Sequence, residues 1–127
     1  MKENIQKKIY ENPLDIGIFL RFEDAVKVLS TEPCSLNKRL YRAYYDCGIF
    51  HLHNENFKDE YIRSNLNYIE TMVNIGTEGI RKIKLPPGVY ARPQQFDLHW
   101  KQASKTAKSI FNIYKYLIKI TESEENG

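Results

Sequence analysis

The chain has few of the residues and patterns that mark secreted, membrane-spanning or nucleotide-binding proteins. It has only two cysteines, Cys34 and Cys47, in no CxxC or Cys/His pattern, so we expect reduced thiols in a cytoplasmic protein rather than a disulfide. The N-terminus has lysines but no apolar core of a signal peptide, and no run of about 18 apolar residues occurs, which predicts neither secretion by that route nor a membrane span. No glycine-rich nucleotide-binding loop is present, and no serine or cysteine stands in a nucleophile setting. The sequence therefore predicts no cofactor.

A metal site is not expected either. His51 and His53 alternate along the chain, with Asp46 and Glu55 nearby. Alternate residues can share a metal on a strand, but they diverge on a helix, and no third ligand accompanies them. We interpret this segment as a solvated linker and predict no metal ligands.

The bulk composition is that of a soluble globular protein. Of the 127 residues, 42% are hydrophobic and 28% are charged, which indicates a folded chain rather than a disordered one. We expect residues 1–127 to form one domain, with residues 1–11 and 122–127 flexible. The net charge of +3 is a weak argument for nucleic acid, because lysine-rich faces at this level are usually only solvated. Nine tyrosines and six phenylalanines suit either a well-filled core or a surface that faces a partner.

Apolar residues at helical spacing predict an all-α fold: an antiparallel bundle of four to five helices with a long C-terminal helix. The organising stretch is 96–121. Its stripe consists of Phe96, Trp100, Ala103, Ala107, Ile110, Tyr114, Leu117 and Thr121. The opposite side carries Lys101, Lys105, Lys108, Asn112, Lys115 and Lys119. Because Trp100 is the largest side chain on the stripe, we expect it to be buried, so that Trp100→Ala costs on the order of 3–5 kcal/mol.

Shorter helices precede this one. Helix starts are predicted at Asn12-Pro13, at Ser35 and near Asn56, where side chains can accept hydrogen bonds from free backbone N–H groups. The corresponding ends are predicted near Ser30, near Phe50 and before Gly76. A short fourth helix is predicted for 77–83, followed by a proline-rich loop over 85–93.

One pair of residues suggests catalysis. Arg92 and His99 are separated by six residues at the start of the last helix. This spacing resembles the arginine–histidine signature of the HEPN superfamily of helical-bundle ribonucleases, and the resemblance covers these two residues together with the all-helical prediction. It implies a metal-independent ribonuclease acting as a dimer, in which His99 assists proton transfer and Arg92 steadies the phosphate. The alternative is structural, with His99 a half-buried helix residue and Arg92 a loop residue paired with a carboxylate.

The absence of a dense catalytic constellation favours a function in binding. We interpret the chain as a small, non-enzymatic helical protein that binds a protein partner, as accessory subunits, immunity proteins and antitoxins do. The residues predicted to contact the partner are Arg39, Arg42 and Tyr45 on helix two and Val89 and Tyr90 in the proline-rich loop. The alternatives are the HEPN-like ribonuclease, a non-catalytic binder of nucleic acid, and self-association as a homodimer through helix two.

Overall fold

Four α-helices make up most of the computed structural model, which describes residues 9–81, 86–88 and 95–126. They are α1 (Ile16–Thr31), α2 (Leu36–Tyr45), α3 (Glu60–Arg81) and α4 (Trp100–Asn126). Two short 3-10 turns, Ile49–His51 and Asn54–Asn56, connect α2 to α3. The described residues contain no β-strand. The predicted all-α class with a long C-terminal helix is confirmed.

The N-termini of the first two helices show how local side chains set their bounds. The Ser35 hydroxyl accepts from the Lys38 N–H (3.3 Å), so the predicted cap of α2 is confirmed. The cap of α1 is Asp15, whose carboxylate accepts from the Gly17 N–H (2.7 Å). The predicted cap Asn12 instead accepts from the Leu14 N–H (3.0 Å) in the turn before the helix.

Helix α2 is shorter than predicted. It ends at Tyr45 rather than near Phe50. Gly48 follows with a φ of 81°, a left-handed conformation that glycine adopts without steric cost. The chain therefore turns here, and Phe50 lies in the 3-10 turn Ile49–His51.

Helix α3 is longer than predicted at its C-terminal end. It continues through Gly76 to Arg81, so the predicted end before Gly76 and the separate helix from Thr77 are both wrong over the described residues. A Cβ atom on Gly76 would lie 2.8 Å from the Cβ of Phe96 and 3.2 Å from the Cγ of Leu98. The glycine therefore allows a close approach between α3 and the segment before α4, and it does not end the helix.

The stripe of α4 is rotated from its predicted position. Phe96 is 2% exposed but lies in the non-helical segment before the helix, which begins at Trp100 and not at the start of the predicted stretch 96–121. Trp100 is 66% exposed, so the prediction that it is buried is wrong. The buried residues of α4 are Ala103, Thr106, Ser109, Ile110, Ile113 and Leu117.

Polar residues can lie on this buried face because their hydroxyls are bonded locally. The Thr106 hydroxyl donates to the Gln102 carbonyl (2.6 Å) and the Ser109 hydroxyl to the Lys105 carbonyl (3.0 Å). These bonds remove the cost of burying an unpaired hydroxyl.

Helix α4 packs against each of the other three helices, as expected of the central helix. It runs antiparallel to α3. The Tyr116 hydroxyl, far along α4, donates to the Asp59 carboxylate at the start of α3. The Asp97 N–H, just before α4, donates to the Gly76 carbonyl near the end of α3 (3.0 Å). Because the two helices pack in this way, their solvent-facing sides lie next to each other.

Candidate nucleic-acid interface

The predicted catalytic pair is only partly described. Arg92 lies outside the described residues, so its pairing with His99 stays a prediction. His99 is exposed and caps α4: its carbonyl accepts from the Ala103 N–H (2.9 Å), and its own N–H donates to the Gln102 side chain (3.2 Å). Its ring Nδ1 accepts from the Lys101 N–H (3.3 Å). The proton of a neutral ring is therefore on Nε2. The half-buried position of the structural alternative is not observed.

The predicted partner-binding residues on α2 make contacts within the chain. Arg39 donates to the Leu29 carbonyl (2.6 Å) and Arg42 pairs with Glu32 (3.0 Å), so both tie α2 to the end of α1. Their role toward a partner stays a prediction, as does that of Tyr45. Val89 and Tyr90 lie outside the described residues.

Tyr45 belongs to a group of packed rings that we call the aromatic cluster. Its members are Tyr41, Tyr44, Tyr45, Phe50 and Phe96, whose neighbouring ring centroids lie 4.8–6.2 Å apart. Burial, together with Glu70, raises the pKa of Tyr44 to about 12. These tyrosines therefore serve packing within the chain.

Cys47 is a half-buried thiol packed against the core. Burial, with the nearby carboxylates of Asp24 and Asp46, raises its pKa to about 11. Since the thiolate is the nucleophile, the side chain stays protonated at neutral pH and acts as a small apolar group packed against the core.

The histidine-containing turn is held by the carboxylate of Glu70. Glu70 accepts from the backbone N–H (3.2 Å) and the side-chain amide of Asn54, and its Oε1 lies 3.7 Å from the Nδ1 of His53. The ring of His51 stacks on Phe50, with centroids 3.9 Å apart. No group of three or more metal-ligating side chains occurs in the part of the chain that the structure describes.

A groove runs along the surface between α3 and α4, and we call it the α3/α4 groove. One half has a volume of about 450 Å³ and is lined by Ser64, Asn65, Tyr68, Lys105, Lys108, Ser109 and Asn112. The other half has a volume of about 500 Å³ and is lined by Tyr61, Asn112, Lys115, Tyr116 and Lys119. Asn112 lines both halves, so they adjoin.

The α4 side of the groove is strongly basic. Between Trp100 and Thr121 the sequence has five lysines (Lys101, Lys105, Lys108, Lys115 and Lys119) and no acidic residue, whereas the whole chain has a net charge of only +3. All five are exposed, and none forms an ion pair with a described carboxylate. We call these residues the lysine row. The sequence shows the row, and the structure shows that four of its members line the groove: Lys105, Lys108, Lys115 and Lys119.

Aromatic rings accompany the lysine row. The Lys105 Nζ lies 4.8 Å from the centre of the Tyr68 ring, and the Lys101 Nζ lies 5.6 Å from the Trp100 ring. At the far end of the groove, the rings of Tyr61 and Tyr116 are 4.8 Å apart. Cations over aromatic faces are mutually attractive. The groove therefore combines positive charge with exposed aromatic surface.

Four carboxylates lie at one end of the groove, where α3 begins and α4 ends. Asp59 accepts from Tyr116 and from the first N–H groups of α3, so it is already engaged. Glu60 pairs with Arg63 (3.6 Å). Glu122 and Glu124 follow the lysine row along α4. The positive surface thus stops, at this end of the groove, where these acidic residues begin.

No protein-family model, curated protein or solved structure matches this chain. None of the described helices has the length and apolarity that crossing a bilayer requires. The α3/α4 groove is therefore the basis for a proposed function.

Proposed function

We propose that this chain is a non-enzymatic binding protein whose α3/α4 groove binds the phosphate backbone of a nucleic acid. The observation that supports this proposal is the lysine row, which lies beside the groove with no carboxylate between Trp100 and Thr121. Lysine side chains neutralise phosphates and release counterions, which is the main source of sequence-independent affinity for nucleic acid.

The shape of the groove favours an extended, repeating anion. The outermost lysines that line it, Lys105 and Lys119, are about 21 Å apart along the helix axis, at roughly 1.5 Å per residue. The opposite wall carries neutral polar groups, Ser64 and Asn65, beside Tyr61 and Tyr68. Positive grooves with aromatic rings are typical of proteins that hold nucleic-acid strands without sequence preference.

The test is a salt titration with a fluorescein-labelled RNA or DNA oligonucleotide, followed by anisotropy. We expect the logarithm of the binding constant to fall linearly with the logarithm of salt concentration. Because each neutralised phosphate of a single strand contributes about 0.7 to that slope, the double variant Lys105→Gln/Lys108→Gln should have a slope smaller by about 1.4. Lys27→Gln is the control, since Lys27 lies on α1 and pairs with Glu23 (3.8 Å).

Two results would contradict the proposal. One is an absence of binding at low salt. The other is equal salt dependence for the groove variant and the Lys27→Gln control. In either case the lysine row would be only a solvated face.

A separate incubation with RNA in the absence of metal tests the ribonuclease alternative. His99 is exposed and comes directly before the lysine row, so RNA in the groove would lie near it. If the wild-type protein cuts RNA without metal, and His99→Ala abolishes cutting while the chain remains folded, the HEPN-like ribonuclease replaces the binding protein as the function. Intact RNA after prolonged incubation supports binding alone.

A protein partner is the second candidate, and an exposed apolar surface on α1 favours it. Ile16 and Leu20 are one helical turn apart and are 67% and 46% exposed, with Leu14 also exposed. Side chains of this kind often mark protein contacts. Leu20→Glu should abolish a protein complex, or self-association seen by sedimentation, and leave the salt-dependent binding of oligonucleotides unchanged.

A further inference from the structure

We infer that the α3/α4 groove selects single-stranded over duplex nucleic acid, with Tyr61 as the ring on which an unpaired base stacks. This inference rests on the proposed function, because it requires that the groove bind nucleic acid at all. The lysine row alone cannot discriminate between the two forms, because phosphates are present on both single strands and duplexes. Stacking on Tyr61 supplies that discrimination.

The ring of Tyr61 is both exposed and supported. Tyr61 is 45% exposed in the first turn of α3. Its ring lies 4.8 Å from that of Tyr116, at an interplanar angle of 44°. One side of the ring therefore contacts the protein, and its exposed surface borders the groove.

The supporting ring of Tyr116 is held in place by Asp59. The Tyr116 hydroxyl donates to one carboxylate oxygen of Asp59, and the other oxygen accepts from the N–H groups of Tyr61 (2.9 Å) and Ile62 (3.1 Å). A single carboxylate thus caps α3 and fixes the ring against which Tyr61 lies. A base that stacks on Tyr61 would meet a ring that is already ordered, which lowers the entropic cost of binding.

Cations and a second ring accompany this position. Lys115 and Lys119 line the same half of the groove as Tyr61. Tyr68 follows Tyr61 by two turns of α3, about 10 Å along the axis at roughly 1.5 Å per residue, and it lies under Lys105. A strand in the groove would therefore have lysines beside its phosphates and rings beside its bases along one continuous path.

Stacking distinguishes the two forms of nucleic acid. In a duplex the faces of each base are covered by neighbouring bases, and a surface groove can contact only the backbone and the base edges. In a single strand the bases can turn outward and stack on aromatic side chains. Tyr61 should consequently contribute to binding of a single strand and contribute little to binding of a duplex.

The experiment compares two probes at one salt concentration: labelled oligothymidylate of about twelve nucleotides, and a mixed-sequence DNA duplex of the same length. Tyr61→Ala should weaken binding of oligothymidylate about 5- to 150-fold, the range expected for loss of one base–aromatic stack. Binding of the duplex should change less than about twofold. Tyr61→Phe keeps the ring and should bind both probes like the wild type.

Further variants separate stacking from charge and from folding. Lys115→Gln should weaken binding of both probes, because it removes a phosphate contact common to them. Tyr61→Leu keeps apolar bulk without an aromatic plane, so it answers the question if Tyr61→Ala proves unstable by circular dichroism. Tyr61→Leu should weaken only the single strand.

The failures are distinguishable. If the wild type binds both probes, and Tyr61→Ala leaves both unchanged or weakens both equally, single-strand selection by Tyr61 is wrong while nucleic-acid binding stands. If the wild type binds neither probe at low salt, the proposed function fails and this inference fails with it.

Discussion

Two groups of tyrosines on this molecule differ in what surrounds their rings. In the aromatic cluster, Tyr41, Tyr44 and Tyr45 pack against one another and against buried Phe96. In the α3/α4 groove, Tyr61 and Tyr68 border solvent beside lysines. The number of tyrosines in a sequence therefore does not locate a binding surface. The charge and exposure of their neighbours do so better.

The largest difference should appear in stability. Phe96→Ala removes the ring around which the aromatic cluster packs, and we expect a loss of about 3–5 kcal/mol in the free energy of unfolding. Tyr61→Ala, in the groove, should cost less than about 1 kcal/mol. Urea denaturation measures both values. Similar losses for the two variants would end the distinction between a packing cluster and a binding surface.

A second test concerns how closely the cluster is packed. Gly76→Ala would normally stabilise a helix slightly, but here the new methyl group would lie 2.8 Å from the Cβ of Phe96. Because that atom is next to the backbone and cannot swing away, we expect a net destabilisation of about 1–3 kcal/mol. A rise in melting temperature would show that the contact between α3 and the Phe96 segment is loose.

Trp100 extends the comparison to the other end of the lysine row. Since it is 66% exposed, Trp100→Ala should cost less than about 1 kcal/mol, in contrast to the large loss expected from the sequence. The intrinsic fluorescence of this single tryptophan should also be quenched readily by iodide. A large loss of stability with weak quenching would place the indole in the core instead.

The smallest effect concerns ionisation, and the two groups differ in its cause. Burial is the main reason that the pKa of Tyr44 rises to about 12, whereas the hydrogen bond to Asp59 is the main reason for the similar pKa of Tyr116. The folded chain retains these protons more strongly than the unfolded chain, so the free energy of unfolding should decrease as pH rises from about 10 to about 12.

Asp59→Asn separates the two causes. It should lower the pKa of Tyr116 and leave that of Tyr44 unchanged. Ultraviolet titration of tyrosinate measures both pKa values, and the variant Tyr44→Phe identifies the contribution of Tyr44. A shift in both tyrosines would mean that Asp59 acts on the fold as a whole.

The helical class was predictable because apolar residues recur at helical spacing, and the Ser35 cap was predictable because its chemistry is local. The rotational position of the buried face around the axis of α4 was not predictable. Phe96 extends the apolar periodicity beyond the helix, since Phe96 and Leu98 in the segment before α4 are buried too. Thr106 and Ser109 were not assigned to the apolar stripe, yet their locally bonded hydroxyls allow burial. Including Phe96 and omitting Thr106 and Ser109 rotates the predicted buried face of α4 toward Trp100.

The end of α3 and the groove depended on contacts between distant parts of the chain. In the sequence alone, Gly76 indicates the end of a helix. In the structure it lies within the helix, where the absence of a side chain leaves room for Phe96. The lysine row is visible in the sequence, but its partners Tyr61 and Tyr68 come from α3. Only the antiparallel packing of α3 and α4 places them along one path.

Asn37, in the first turn of α2, is hydrogen-bonded to the segment just before α4. Its side-chain amide donates to the Leu98 carbonyl (3.0 Å) and accepts from the Leu98 N–H (3.3 Å), while Tyr116 is tied to Asp59 farther along. Helix α4 is therefore fastened near both ends of the lysine row. The binding surface should therefore be preformed. The association rate constant should depend on electrostatic attraction to the lysine row rather than on a rearrangement of the bundle.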